Sequence, residues 1–467
     1  MPQRPAAGPL FDLNFERLPG GVFISGLAGN CSDVSGAGLA ALLAGRPGPA
    51  SAGLARAGFL RGRLDLAALD SALRARFLAG WRGPYVHILT LTGHCGLACS
   101  YCSAASNSRS NLGSMKPATV RRVLDFIFSI DVPRLVLEFQ GGEPLLNFGA
   151  LKAAVEGASA LAARTGREVR FSVVTNLASM DEAKFRFLME HRVTVCTSLD
   201  GPRDLHDANR GRGAHAAAVK WLGRINDYRK KHPETEPPNA ICTVTRAALS
   251  RPEEIVDEFA ANGIDRVQLG PLDPLGRARA GWDRLGYTSG EFLKFYARAL
   301  ARMETLTIRT GRAVYEKGAL GFLRETESGR RPSSRNLDLA FRLAYNWDGG
   351  IYGSDEGRML AGGGDEFFRL GTAGRDTFRD VLGRPLARAL LLSCFPELTQ
   401  PACARCAFSP YCRVSPVYNY AAQGSFWGDM ASSQRCAVFK GVFRLLAEGR
   451  RQPRRRRVFR KWLAEGL

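Results

Sequence analysis

The sequence predicts an α/β fold: a partial (βα)6 TIM-like barrel with a small N-terminal α+β module and a cysteine-rich C-terminal extension. Three observations predict it. From residue 85 onward, short β-branched runs alternate with segments whose apolar residues fall at helical spacing. Six such strand-then-helix units run in series, and continuous apolar strands with helical crossovers describe a parallel sheet buried on both faces. From about residue 340 the composition shifts to Gly, Asp and Cys, as in a small region stapled by metal. A chain of 467 residues exceeds one ordinary core, so several domains are expected.

Residues 1–80 read as a compact, winged-helix-like module, with a cap on the barrel as the alternative. "GGVFISGLAGN" predicts a hairpin, "GAGLAALLAG" and "SAGLARAGFL" predict short helices, and a small strand closes it. Residues 81–335 carry the barrel strands "VHILTLT" (86–92), "RLVLEFQ" (134–140), "VRFSVVTN" (169–176), "VTVCTSLD" (193–200), "AICTVT" (240–245) and "RVQLGPL" (266–272). In such folds ligands collect at the C-terminal ends of the strands. "EFLKFYARALARMETLTIRTG" predicts a helix after the last of them. Residues 336–445 form the cysteine-rich extension, and 446–467 a basic tail.

No apolar run reaches the eighteen or so residues that span a membrane. The start, "MPQRPAAGPLFDLNF", lacks the apolar core of a secretory signal, so the cytoplasm is the expected location. There, eleven cysteines point to metal or catalysis before disulfides. The net charge of +21 is spread over the chain, and only "RRQPRRRRVFRKW" (450–462) is a true basic cluster. No nucleic-acid-binding module accompanies it, so a solvated tail, dispensable for chemistry, is the expectation.

Cys95, Cys99 and Cys102 follow the first strand in "LTGHCGLACSYCSA". Zinc closes its structural sites with four ligands. A four-iron cluster held by three thiolates keeps one iron open for something else. A zinc or purely structural site is the alternative. The second strand ends in "EFQGGEPLLN", where Gly141 and Gly142 admit close backbone approach and Glu143 offers an acceptor for an ammonium. Taken with the six-strand pattern, these motifs resemble the radical SAM enzymes. The resemblance implies a [4Fe–4S] cluster on the three cysteines whose open iron chelates S-adenosylmethionine. It also implies that Tyr101 packs beside the cluster and contacts the adenine region, and that Gln140, Gly141, Gly142 and Glu143 hold the methionine amino end. In "TSLDGPRDLHDANR", Ser198 and Arg210 match residues that contact the ribose or methionine carboxylate, with a turn-stabilising role as the alternative. Asn176, at the third strand's end, is a further cofactor candidate.

Cys403, Cys406 and Cys412 form CxxC-x5-C, and Cys436 follows in "SSQRC". Four thiolates make a closed site, for zinc or for a fully ligated cluster. The pattern resembles the C-terminal half of the SPASM domain, which implies a second, auxiliary [4Fe–4S] cluster. Two positions depart from the full domain: Pro416 and Ser354 stand where cysteines for another cluster are expected, so that cluster is predicted absent. Asp355 matches a position that takes the substrate proton in some relatives, with a turn aspartate as the other reading. Cys31, Cys196, Cys242 and Cys394 fit no motif. Cys196 and Cys242 read as core, Cys394 as a spare or exchange ligand, and His206 as a local hydrogen-bonding group.

Longer stretches, "EFQGGEPLLNF", "TSLDGPRDLHDANR", "YNWDGGIYGSDEGRMLA" and "CAFSPYCRVSPVYNYAAQGSFWG", together resemble the His-Xaa-Ser system radical SAM maturases. The resemblance implies an enzyme that reductively cleaves S-adenosylmethionine to a 5′-deoxyadenosyl radical and modifies a ribosomally made peptide with His-Xaa-Ser repeats. Its implied partners are that precursor peptide, a flavodoxin- or ferredoxin-type electron donor and a second maturase of the same system. Two other readings compete. A sulfatase-maturase-like enzyme would oxidise a residue of a folded protein, and the lost auxiliary site argues against it. A non-enzymatic iron–sulfur scaffold or electron carrier would need no open iron, so the complete CxxxCxxC argues against that.

Overall fold

The computed structural model of the chain describes residues 10, 12–44, 46, 51–77, 83–104, 113–327, 339–413 and 415–466. Its N-terminal region opens with strands β1 (Asn14–Leu18), β2 (Gly21–Ser25) and β3 (Cys31–Val34), antiparallel in the order β1-β2-β3. Helices Gly36–Leu43, Ser51–Arg56 and Leu66–Phe77 follow. The expected closing strand is instead the last of these helices. The Asp65 carboxylate accepts the Ala68 N–H at 2.9 Å, and "LAALDSALRARF" contains no β-branched residue to resist the helix.

Alternation along β2 divides its side chains between two cores. Val22 and Ile24 pack with Leu39, Leu42, Leu54 and Phe59 inside the module. Phe23 points the other way and stacks on Phe408 of the cysteine-rich region, ring centroids 5.2 Å apart. Ser25 Oγ donates to the Ala407 carbonyl at 2.6 Å, and a buried ion pair joins Arg76 to Glu397 at 2.8 Å. The module is therefore packed onto the C-terminal region.

The six expected barrel strands are present: β4 (Val86–Thr92), β5 (Arg134–Gly141), β6 (Glu168–Thr175), β7 (Thr194–Ser198), β8 (Asn239–Val244) and β9 (Arg266–Pro271). They pair in parallel and in sequence order. A short strand, β10 (Tyr315–Glu316), extends the sheet past β9. On the other side β11 (Arg342–Tyr345) pairs in parallel with β4, and β12 (Gly350–Tyr352) and β13 (Arg369–Thr372) continue antiparallel.

The sheet is not apolar on both faces, as the strand composition led one to expect. Leu135, Leu137 and Phe139 of β5 are fully buried, whereas Val136, Glu138 and Gln140 between them are half-exposed. The same alternation runs through β7 and β8, with Thr194, Cys196, Ser198, Asn239 and Ile241 on the half-exposed face. One face carries the core. The other is the inner wall of a barrel, where polar residues meet the lumen. Cys196 thus leaves the core set and belongs to the inner wall, while Cys242 is buried as expected.

Helix Ser289–Thr310 is fixed by a capping box between Thr288 and Glu291. The chain ends in helices Gln434–Arg451 and Pro453–Glu465, so the expected solvated tail is structured. Its Val458, Phe459 and Trp462 are buried, and the Trp462 indole N–H donates to Thr307 Oγ1 at 2.9 Å. Arginines hid an amphipathic stripe. Among the described residues no helix is long and apolar enough to cross a membrane.

Candidate active site

The cysteine loop leaves β4 at the C-terminal end of the parallel sheet and is tied to the end of β5. Gly142 N–H donates to Thr92 O and Glu143 N–H to His94 O, both at 2.8 Å. The glycines are required by that contact. A Cβ on Gly141 would lie 2.4 Å from Thr92 O, and one on Gly142 2.3 Å from His94 O. Sequence and geometry agree here: the small residues let one strand end lock the start of the loop on its neighbour.

None of Cys95, Cys99 and Cys102 is in a disulfide. Cys95 Sγ accepts hydrogen bonds from Leu97 N–H at 3.4 Å and from Asn176 Nδ2 at 3.6 Å. Burial pushes the Cys95 thiol up to about 11, opposed by the Leu97 N–H, with the charges of Glu143, Cys99 and Cys102 adding to the rise. Cys99 is raised by burial and pulled back by Arg210. Three thiols that sense one another on a single loop, with N–H donors on sulfur, are a donor set that fits an iron–sulfur cluster. Loading must displace their protons.

Glu143, whose carboxylate is expected to receive an ammonium, already carries three donors. It is fully buried, and its carboxylate accepts from Thr175 Oγ1 at 2.7 Å, Asn176 N–H at 2.9 Å and Leu145 N–H at 3.0 Å. It joins the ends of β5 and β6 and so positions Asn176 against Cys95. Gln140 Nε2 donates to Glu138 at 2.7 Å on the inner wall. Ser198 is half-buried on the same wall.

Tyr101 and Arg210 meet on a residue the sequence reading passed over, Asp200. Its buried carboxylate accepts from Tyr101 Oη at 2.6 Å, from Arg210 Nε at 3.0 Å and Nη2 at 3.1 Å, and from Asn209 Nδ2 at 3.2 Å. The Arg210 guanidinium lies 5.2 Å from the Tyr101 ring centroid. His206 Nδ1 accepts the Asp200 N–H at 3.1 Å, the local role expected of it. The signal for Asp200 was available: it stands two residues beyond a strand's C-terminal end, before a glycine with φ of +121°. Arg277 was also missed. From the short helix Gly276–Ala280 after β9 its Nη1 donates to Cys99 O at 3.1 Å and its N–H to Cys102 O at 3.0 Å.

Asp355 is not an open base. Both Nε and Nη2 of the buried Arg358 bond its Oδ1, at 3.0 and 2.5 Å. Ser354 is the N-cap of helix Asp355–Gly362 and accepts the Gly357 N–H at 3.2 Å, so Asp355 sits in the first turn of that helix. Pro416 likewise opens helix Pro416–Gln423, capped by Ser415. The two positions that depart from a cysteine pattern are thus both used for helix starts.

Cys403 lies in the short helix Pro401–Ala404, Cys406 and Cys412 flank a turn, and Cys436 sits in the first turn of Gln434–Arg451, its N–H on Ser433 Oγ at 3.3 Å. Burial raises the Cys436 thiol, and the charge of Cys406 adds to it, so these two are neighbours. Cys394 packs instead with Phe341. Among the described residues no three His, Cys, Asp or Glu side chains converge on a single-ion site. A cluster is larger than an ion, so its thiolates need not converge as zinc ligands do.

Residues 89–232 match the family model described as the Radical SAM superfamily. An uncharacterized protein of Methanothermobacter thermautotrophicus is 28% identical over 194 residues, covering 40% of this chain and 68% of the relative. The cysteine-type anaerobic sulfatase-maturating enzyme of Clostridium perfringens is 26% identical over 186 residues, 39% of this chain. The match spans half of that enzyme's length. In fold, the chain is similar to anSMEcpe with bound AdoMet, with a TM-score of 0.66 and 19% identity over 81% of this chain and 100% of the other. It is also similar to Streptococcus suis SuiB bound to the precursor peptide SuiA, with a TM-score of 0.54 and 14% identity over 91% and 98% of the two chains. Residues 89–232 are thus a radical SAM domain, a type that binds a [4Fe–4S] cluster and S-adenosylmethionine, and Cys95, Cys99 and Cys102 lie within it.

Proposed function

We propose that this chain is a radical SAM enzyme that modifies a ribosomally made peptide after its synthesis. The observation that carries the reading is the loop of Cys95, Cys99 and Cys102, locked to Gly141–Glu143 at the C-terminal end of the sheet within residues 89–232. Those three thiolates would hold one [4Fe–4S] cluster, and Cys403, Cys406, Cys412 and Cys436 an auxiliary one. When bound, the first cluster supplies the electron that cleaves S-adenosylmethionine and yields a 5′-deoxyadenosyl radical.

The protein's part is to bind, orient and exclude water. Tyr101, Gln140, Gly141, Gly142, Glu143, Asn176, Ser198 and Arg210 would surround the cofactor. Asp200 holds Tyr101 and Arg210 in place, and Glu143 holds Asn176. A peptide substrate is supported by the fold shared with SuiB, which is solved with a precursor peptide. We assign that peptide His-Xaa-Ser repeats, a flavodoxin- or ferredoxin-type electron donor, a second maturase of the same system as a further partner and a cytoplasmic location, all on the motifs quoted above. Strands β1 and β3 are the edges of the N-terminal sheet, and either could take the peptide by β-augmentation. Hydrogen exchange on the full chain with the precursor peptide checks this: added protection in β1 or β3 supports it, and protection confined to the barrel refutes it.

A second reading, oxidation of a residue in a folded protein, is favoured by the match to the sulfatase-maturating enzymes. The Arg358 pairing of Asp355 weighs against it, since no open base stands at that position. Incubation of the reduced, cluster-loaded chain with a gene-neighbour peptide or with a sulfatase, followed by mass spectrometry, decides between them.

A further inference from the structure

The inner wall of the barrel carries a carboxylate that nothing above uses. Glu138 is half-exposed on β5, and by strand rise it stands about 10 Å below Gly141 at the strand end. Its partners are both neutral: Gln140 Nε2 at 2.7 Å and Ser172 Oγ at 3.4 Å. Among the described residues no Lys, Arg or His pairs with it. Several withdrawn carboxylates find guanidinium partners, Asp200 with Arg210, Glu397 with Arg76, Glu304 with Arg455 and Glu327 with Arg450, whereas Glu143 and Glu316 are held by neutral donors.

A second observation comes from the neighbouring strands. Thr90 faces Gln140 in the β4–β5 register, is fully buried, and its hydroxyl has no hydrogen-bond partner. Asn239 faces Cys196 in the β7–β8 register, and its buried Oδ1 has none either. Unsatisfied buried polar atoms are rare, and each asks for an occupant. Thr90 is on the strand next to Glu138 and Asn239 is three strands away on the same face, where Lys317 and Arg266 are felt at Cys196 but form no ion pair with Glu138.

We propose that the wall around Glu138 recognises a cationic side chain of the substrate, an ammonium, guanidinium or imidazolium group. Glu138 supplies the charge. Gln140 and Ser172 hold the carboxylate in place without neutralising it. The inference rests on the reading of a peptide substrate given above.

The test uses the full, cluster-loaded chain with S-adenosylmethionine and two probe sets, read by saturation-transfer NMR. The first set is the peptides Gly-Gly-X-Gly-Gly with X as Lys, Arg, His, Gln or Glu. The second is n-butylammonium against the neutral n-butanol. One charge-assisted hydrogen bond predicts that the Lys or Arg peptide binds about tenfold tighter than the Gln peptide, with Glu weakest. The preference should vanish in Glu138→Gln and survive in part in Glu138→Asp. Equal binding of all peptides overturns the cation site and leaves the peptide reading standing. Contact of n-butylammonium with the wild type but not with Glu138→Gln, while no peptide binds, keeps the site and overturns the peptide substrate. Binding of neither set overturns both, and Glu138 is then a hydrated wall residue only. The wild-type comparison of Lys with Gln is decisive even if a variant fails to fold.

Discussion

The buried ion pair of Asp200 and Arg210 sets a sharp expectation at the scale of the residue. Removing one partner of such a pair strands the other charge away from water. Asp200→Asn should therefore cost on the order of 3–5 kcal/mol of stability in a denaturant titration. It should also free Tyr101 and Arg210 and weaken cofactor binding. Unchanged stability would mean that the pair is hydrated and of little consequence.

Histidines give a pH dependence with a definite sign. His206 is lowered to about 4 by burial, the largest effect, with Asp200 opposing it. His87 is lowered to about 3, again by burial, and its neutral form is fixed: Nε2 donates to Pro84 O and Nδ1 accepts from Tyr345 Oη. Both fold as neutral rings while the unfolded chain protonates near 6.5. Between pH 6.5 and 4 the unfolded state binds more protons, so stability is fully present above 6.5 and is lost as pH falls. For His206 this amounts to on the order of 3 kcal/mol. Thermal melts of the metal-free chain at pH 7 and pH 5 should show a lower Tm at pH 5, and His206→Gln should narrow the gap. Tyr101 and Arg210 were legible as candidates from their motifs, whereas Asp200, though marked by its place after a strand end, shows its role only when β7 and the cysteine loop are brought together.

The barrel strands were readable as elements because each is a β-branched run bounded by turn residues, and five of the six agree with the structure to within a residue at both ends. Face and tail were not. Half the residues of β5, β7 and β8 face the lumen, so apolar content alone could not separate wall from core. The helix Pro453–Glu465 was masked by its arginines, although Val458, Phe459 and Trp462 fall at helical spacing. Trp462→Ala should cost about 3–5 kcal/mol. Deleting residues 450–462 should lower the Tm of the whole chain, against the expectation of a dispensable tail. A deletion that melts like the wild type would restore that expectation. Gly142→Ala tests the other element-scale claim. With His94 O only 2.3 Å from the new Cβ, the cysteine loop must shift. The N-terminal cluster should then be lost while the C-terminal one is kept, as counted by iron and sulfide.

Across the whole molecule, the parts assigned by sequence to separate domains are joined. Phe23 stacks on Phe408, Arg76 pairs with Glu397, and Arg435, next to Cys436, pairs with Asp273 on the segment that also holds Cys99 and Cys102. The cysteine motifs were legible because spacing and residue type carry the chemistry. These long-range contacts were not, since each joins segments more than 150 residues apart with no local pattern to mark it. We propose the loop of Cys95, Cys99 and Cys102 as the catalytic centre and the C-terminal thiols as a second, closed site. The most direct test is the yield of 5′-deoxyadenosine from S-adenosylmethionine by the reconstituted, chemically reduced chain, compared with a variant carrying Ala at positions 95, 99 and 102. Deoxyadenosine is expected from the wild type and none from the variant, which should retain only its C-terminal cluster. A wild type that holds the intact N-terminal cluster yet forms no deoxyadenosine, with or without peptide, would contradict the proposal.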